Sequence, residues 1–331
     1  MKRFIFIIFL VFLMVISPLF GGITITKYAG AFLETGVGAR PFGMGGAFTA
    51  LSGDVTAIYW NPAGMVNIKN IEFHGMHAER FSGIVNWDFV GGAVRINDIT
   101  SFGIGYFRLG VDGIPLTRLT DPSRDLGEVF IDDNGTEIEN TPYAYKYVND
   151  SESALFFSFA RNINKKIAYG GSIKFIYKSV SDYNAWGLGF DVSIMYNPFD
   201  ALKLGLLISD GTSTLIAWNT GRKELILPHL RFGSAYHFNY SFLQFLPVLD
   251  LSFNFENRGS SQITVKHVGI DIHAGMEVRF KKMIAFRVGS NCGFFTAGSG
   301  IKLSSFRVDY GFSHHTDLDN THRISLTYML Q

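Results

Sequence analysis

Apolar and polar residues alternate with a period of two through most of the chain after residue 70, and this pattern constrains the fold most. The segment Val268–Phe280 is typical, with apolar residues at every even position and Gly, Asp, His, Glu or Arg at every odd one. Successive side chains of a β-strand point to opposite faces, so this period predicts strands. No run of about 18 apolar residues follows residue 70, so no transmembrane helix is predicted there. The sequence predicts an all-β protein.

A membrane barrel explains this alternation better than a soluble sandwich, which would also alternate. The polar face carries Gly, Ser and isolated charges of both signs, as expected for a lumen that holds water and a plug. Aromatic residues, among them Trp87, Trp186 and Tyr196, stand near the ends of the apolar face. Aromatic residues form girdles at the two membrane interfaces of such barrels. We therefore predict a transmembrane antiparallel β-barrel.

The alternating segments number about fourteen, an even count that places both ends of the barrel on one side. The predicted strands lie near Ile71–Glu79, Trp87–Ile96, Phe102–Leu109, Ser153–Arg161, Ile167–Val180, Ala185–Tyr196, Leu202–Ser209, Leu230–Phe238, Pro247–Glu256, Val268–Phe280, Met283–Asn291, Phe294–Leu303, Phe306–His314 and Arg323–Leu330.

The lengths of the connections sort by parity. All even-numbered connections are short, whereas the odd-numbered ones include every long loop: Val111–Glu152, Asp210–His229, Asn257–His267 and His315–Thr321. Outer-membrane barrels have short periplasmic turns and longer outer loops. A soluble all-β protein has no reason to sort its loops in this way, so the parity favours an outer-membrane barrel.

The N-terminus has the pattern of an export signal. Lys2 and Arg3 precede an apolar run from Phe4 to Ile16, and Gly21-Gly22 offers small residues for cleavage. The run is shorter than the ~20 residues of a membrane-spanning helix. We predict a signal peptide at 1–22, a hatch or plug segment at 23–70 and the outer-membrane barrel at 71–331; an uncleaved N-terminal anchor is the alternative.

The stretch Gly36–Val66 differs from everything after it. Its first half is crowded with Gly and Ala, which suits a backbone tucked into a confined space. Asn61 before Pro62 predicts a helix N-cap with proline at the first helical position, and Asp54 predicts the cap of another short helix. We predict that this stretch plugs the barrel, with a hatch motif made of Arg40, Gly43, Gly45, Gly46, Asp54, Asn61, Pro62, Ala63 and Gly64.

Two blocks of sequence resemble the PorV/PorQ family of outer-membrane proteins, which is similar to the FadL-type, hatch-plugged barrels. The first block is Gly43–Phe48 with Asp54 and Asn61–Met65, and the second is the last strand, Asn320–Tyr328. The resemblance implies an accessory of type IX-like protein secretion that binds or shuttles exported proteins at the outer membrane. A FadL-like passive channel for hydrophobic small molecules, such as long-chain fatty acids, is the alternative, and a structural barrel without cargo is a third.

Charged residues on the polar face of the strands are expected to point into the lumen, because an Arg or Lys facing lipid at mid-depth costs about 2–4 kcal/mol. An ion-pair lattice that braces barrel and plug explains them better than a substrate path, and Arg40 is expected to pair with a lumen carboxylate. The predicted lumen charges are Lys174, Asp191, Arg231, Asp271, Glu277, Arg307, Asp309 and Arg323.

The sequence carries no pattern for catalysis, metal or cofactor binding. Cys292 is the single cysteine, and the nine histidines are scattered. The acidic stretch Asp132–Glu139 lacks the glutamate at position twelve of an EF-hand. A net charge of +1 gives no reason to expect nucleic acid. We predict a non-enzymatic protein without cofactor, whose partners are outer-membrane lipid and either secretion proteins or hydrophobic small molecules.

Overall fold

The computed structural model describes residues 29–80, 83–255, 261–314 and 320–330. The predicted signal peptide lies outside these residues. No helix in the described part of the chain is long and apolar enough to cross a membrane. Most of it is strand: β1 (Ile71–Arg80), β2 (Val85–Asn97), β3 (Thr100–Leu119), β4 (Val129–Ile131), β5 (Glu137–Glu139), β6 (Pro142–Asn162), β7 (Ile167–Val180), β8 (Tyr183–Phe199), β9 (Leu202–Ser209), β10 (Thr214–Trp218), β11 (Lys223–Ile226), β12 (His229–Tyr236), β13 (Phe238–Tyr240), β14 (Leu243–Asn254), β15 (Ile263–Val265), β16 (Val268–Phe280), β17 (Ile284–Asn291), β18 (Phe294–Leu303), β19 (Phe306–Ser313) and β20 (Thr321–Leu330).

Fourteen of the described strands form a closed antiparallel barrel, which confirms the predicted fold class. Each of the fourteen pairs with the next of them along the chain, and β1 pairs with both β2 and β20, so this ring of strands closes on itself. The wall consists of β1, β2, β3, β6, β7, β8, β9, β12, β14, β16, β17, β18, β19 and β20. Short turns join the wall strands at one end, the short-turn end, and the longer connections lie at the other, the long-loop end.

The wall presents apolar side chains outward, as the alternation predicts. On β7, Ile173 and Phe175 are exposed, whereas Lys174 between them is only 2% exposed and faces the lumen. Exposed aromatic and aliphatic side chains on a closed barrel match the lipid-facing band of membrane barrels. The interpretation of Trp87 as an interfacial residue is wrong, because its side chain is buried inside the wall, where the guanidinium groups of Arg80 and Arg323 lie over its ring.

The predicted loop Val111–Glu152 is wrong at both flanks, because β3 and β6 continue beyond the barrel as a two-stranded ribbon. The ladder runs from Val111 opposite Asp150 to Leu119 opposite Pro142, with two register shifts. The guanidinium of Arg118 lies 3.8 Å from the centre of the Tyr145 ring. Cross-strand contacts of this kind stabilise a ribbon without the apolar alternation that marks a half-buried strand.

Residues 29–70 fill the lumen and form the plug. The plug contains 3₁₀ helices at Ala31–Thr35 and Pro62–Asn67 and short helices at Ala39–Gly43 and Ala57–Trp60. Val37, Phe48 and Met65 are among its fully buried side chains. The plug begins near the long-loop end, where the Ala29 carbonyl accepts a hydrogen bond from Lys178 Nζ at 2.7 Å, and continues into β1 at the short-turn end.

Candidate functional site

The backbone of the plug lies directly against glycines of the wall. A Cβ atom on Gly170 would lie 2.5 Å from the Ala63 nitrogen, and one on Gly275 would lie 2.5 Å from the Met44 oxygen. Side chains at these positions would therefore exclude the plug. Wall glycines whose Cβ would meet plug backbone also include Gly205, Gly233, Gly289, Gly298 and Gly311. The inward-facing glycines of the alternating strands are the surface on which the plug packs.

Arg40 joins the plug to the wall through Glu277, a fully buried carboxylate on β16. Arg40 Nε and Nη2 donate to the two oxygens of Glu277 at 2.9 and 3.0 Å. Arg287 Nε and Arg279 Nε also contact Glu277, at 2.6 and 2.7 Å. One carboxylate thus receives three guanidinium groups, and this charge-assisted arrangement fixes the helix Ala39–Gly43 of the plug against β16 and β17.

Asp54 makes the second ionic link between plug and wall. Its Oδ2 lies 2.6 Å from Arg307 Nη2 and 3.8 Å from Arg40 Nη1. Arg307 and Arg287 both contact Asp309 as well, at 2.8 Å. Burial alone would raise the pKa of Asp54, but Arg307 and Arg40 outweigh it and hold the pKa below its ordinary value. The pairs of Asp54 and Glu277 therefore form one continuous network.

Hydrogen bonds fix the remaining plug turns. Asp250 Oδ2 on β14 accepts from the backbone nitrogens of Phe48 and Thr49 at 3.0 and 2.9 Å, and from Thr49 Oγ1 at 2.6 Å. Arg323, 2% exposed, donates to the carbonyl oxygens of Thr35 and Gly36. Buried side chains of the wall thus form hydrogen bonds with the plug backbone.

Asn61 is the N-cap residue of a 3₁₀ helix and Pro62 is the first residue of that helix, as the hatch motif predicts. No side-chain capping bond forms, and Asn61 Nδ2 instead donates to the Thr49 carbonyl at 2.8 Å. The Ala63 nitrogen donates to Ser193 Oγ on β8 at 2.9 Å. The predicted N-cap position is therefore confirmed, but the Asn61 side chain joins two turns of the plug instead of bonding the helix, a contact that helix signals do not anticipate. The Asp54 side chain does accept from Thr56, two residues on, just before the helix Ala57–Trp60.

The other glycines of the hatch motif lie where a side chain would clash or strain the backbone. Gly43 and Gly45 lie against the backbone of the wall, and a Cβ on Gly45 would be 2.4 Å from the Ser290 oxygen. Gly45 and Gly46 have φ values of 67° and 72°, which favour glycine. Gly64 packs within the plug, against Ser52.

Above the plug, towards the long-loop end, the lumen holds a cavity of about 270 Å³, called here the lumen pocket. Aromatic rings of Tyr59, Trp60 and Phe156 form one part of its lining. Burial raises the pKa of Tyr59 to about 12, and its hydroxyl donates to the Leu33 carbonyl. Charged and polar groups complete the lining, and among the predicted lumen charges Lys174, Asp191, Arg231 and Asp271 belong to it.

An apolar groove of about 860 Å³ lies on the outside of the wall, across β1 to β8. Phe73, Phe102 and Phe157 are exposed along it, and Gly92 and Gly171 also line it. A groove of this character at membrane depth contacts acyl chains or apolar solutes rather than water.

Several residues of the site are not among the sequence-predicted ones. Arg287 is the clearest, since it alternates with Phe286 and Val288 on a predicted strand, and the period-two pattern could have identified it. Asp210 shares Lys174 with Asp191 at 2.9 Å, but it lies at a strand end where the pattern stops. Trp60 is neither charged nor part of an alternating strand, so no sequence pattern predicts that it lines the pocket.

Comparison with known proteins gives the fold class. No protein family matches by sequence profile, and no curated protein matches by sequence. The structure is similar to a FadL homologue of Pseudomonas aeruginosa, with a TM-score of 0.54 and 12% identity over 89% of this chain and 98% of that one. It is also similar to the toluene transporter TodX of Pseudomonas putida, with a TM-score of 0.51 and 12% identity over 88% and 97%.

The fold and the filled lumen define the class: a plugged transmembrane β-barrel with the FadL-like fold. At 12% identity this likeness extends to the fold alone. The resemblance to the PorV/PorQ family stays a prediction.

Proposed function

We propose that this protein is an outer-membrane channel for small hydrophobic molecules. The observation that carries the proposal is a closed barrel with an apolar exterior, whose lumen is filled by an N-terminal plug, in a fold shared with proteins named as a FadL homologue and a toluene transporter. A filled lumen excludes free passage of water-soluble solutes. The plug therefore has to shift, or the wall has to admit the solute, for transport to occur.

Uptake by intact cells tests this function. A Gram-negative host without a hydrocarbon channel of its own would express the full chain, and the uptake of labelled toluene and labelled glucose would be measured. We expect faster toluene uptake than in cells with empty vector and unchanged glucose uptake, because a plugged barrel is not an open pore. Unchanged toluene uptake, in cells whose outer membranes contain the folded barrel by its heat-dependent gel mobility, would refute the channel.

A secretion accessory of the PorV/PorQ type is the second candidate, and the ribbon of β3 and β6 favours it. The ribbon and its tip carry exposed apolar residues, including Leu126, Val129, Ile131 and Tyr147, among many carboxylates. Replacement of residues 112–149 by a two-residue turn would leave the wall intact. Loss of captured envelope proteins with unchanged toluene uptake would favour the accessory, whereas a lack of any captured protein by the intact chain would count against it.

A further inference from the structure

One cation that lines the lumen pocket forms no salt bridge within the described residues. Arg231 on β12 lies in its lining, with the guanidinium carbon 5.0 Å from the centre of the Trp60 ring. Its Nε donates to Ser252 Oγ at 2.9 Å, and Nη2 lies 3.1 Å from His273 Nε2. No carboxylate of the described residues lies within salt-bridge distance of Arg231. Because a guanidinium has five N–H donors, several of its donors remain available.

The four carboxylates that line the pocket, Glu34 among them, already have partners. Asp191 and Asp210 share Lys174, and Thr214 also donates to Asp210. Asp271 accepts from Asn254 Nδ2 at 2.8 Å, from Ser261 Oγ at 3.2 Å and from the Gln262 nitrogen at 2.9 Å. The group left for a ligand is therefore the guanidinium, which suits an anion and in particular a carboxylate.

The size of the pocket limits the ligand. A cavity of roughly 150 Å³ lined by apolar side chains holds one benzene molecule, so about 270 Å³ has room for a single ring with a small headgroup. A long acyl chain would not fit within it. The aromatic rings of Tyr59, Trp60 and Phe156 offer an apolar surface for the body of such a ligand.

We propose that the lumen pocket binds a compact organic anion, a single apolar ring that carries a carboxylate, and that Arg231 is the partner of its charge. This inference deepens the proposed channel and rests on it for the route by which the ligand reaches the pocket. The ring lies against the aromatic side chains of the plug, and the carboxylate receives the free N–H groups of Arg231. Arg231 is thus the residue that makes the pocket select anions over neutral rings.

Calorimetric titration of the detergent-solubilised full chain tests the proposal with three single-ring probes: benzoate, benzyl alcohol and benzylamine. We expect benzoate to bind at least ten times more tightly than the other two. Arg231→Gln is expected to weaken benzoate binding at least tenfold and benzyl alcohol binding less than twofold, and Arg231→Lys to restore part of the benzoate affinity. Arg95→Gln at the short-turn end removes a cation far from the pocket and should change neither.

Three results would overturn the inference: no measurable benzoate binding by the wild-type chain, tighter binding of benzylamine than of benzoate, or unchanged benzoate affinity in Arg231→Gln. The comparison of the three probes on the wild-type chain holds even if that variant does not fold. Binding is measured without a membrane, so its failure is separate from failure of toluene uptake. Benzoate binding without any uptake would leave the pocket standing and refute the channel.

Discussion

Replacement of Glu277 by Gln should destabilise the plugged barrel strongly. The side chain is fully buried and contacts Arg40, Arg279 and Arg287 at 2.6–3.0 Å. Loss of one partner of a buried ion pair costs about 3–5 kcal/mol, because it leaves uncompensated buried charge. With an unfolding entropy of about 2 cal/mol/K per residue, a chain of 331 residues loses roughly 1.4 °C of Tm per kcal/mol. We therefore expect Tm to fall by about 4–7 °C.

Thermal unfolding in detergent, followed by circular dichroism and by the loss of the fast-migrating form in gels, measures this shift. Glu79→Gln is the matched control. Its carboxylate is exposed on β1 and contacts only the exposed His77 among the ion pairs of the described residues. Exposed pairs contribute about 1 kcal/mol or less, so Tm of the control should change by less than about 1.5 °C.

The double variant Arg40→Gln, Glu277→Gln separates this pair from the rest of the network. Residues in direct contact show non-additive effects, and removal of both charges leaves one fewer unpaired guanidinium than removal of Glu277 alone. The double variant should therefore lose less stability than the sum of the two single variants. A Glu277→Gln protein that melts within 1 °C of the wild type would refute the assignment of Glu277 as the ionic anchor of the plug.

Two further changes test other contacts of the plug. Gly170→Ala places a Cβ about 2.5 Å from the Ala63 nitrogen and should lower the free energy of unfolding by about 1–3 kcal/mol through overpacking. Gly75→Ala is the control, because a Cβ there meets open space, and its Tm should stay within error of the wild type. Equal effects of the two changes would contradict the close approach of plug and wall. Asp250→Ala removes three hydrogen bonds from the turn at Phe48 and Thr49 and should raise hydrogen exchange of these two amides at least tenfold, and unchanged protection would show that packing alone holds the turn.

The sequence predicts the wall better than the contents of the lumen. A period of two and the parity of the loops are local signals, and they are sufficient for fourteen strands. The inward position of Trp87 could not be predicted, because a plug makes part of the lumen apolar and polarity no longer separates the two faces. The ribbon of β3 and β6 cannot be predicted for a related reason. Both of its faces meet water, so its residues do not alternate between apolar and polar.

The sequence predicts which charged residues face the lumen, but it does not predict which of them form ion pairs with each other. Charges on inward positions of alternating strands identify Glu277 and Asp309 as lumen groups. Arg40 and Glu277 are 237 positions apart in the sequence, so no local sequence pattern can predict that they form a pair. The lack of a salt bridge at Arg231 within the described residues cannot be predicted from sequence either, because it depends on which partners the neighbouring carboxylates already have.

The contact between plug backbone and wall glycines bears on biogenesis. At Gly170 and Gly275 the wall leaves no space between itself and the plug backbone. A barrel that has already closed therefore has no room for the side chains of the plug to pass through. The barrel closes where its first strand, β1, pairs with its last strand, β20, and β1 directly follows the plug in the chain. We therefore expect the insertion machinery to hold the plug segment in place while the strands close around it. The barrel would then fold around its plug, and the plug would not enter a barrel that has already closed.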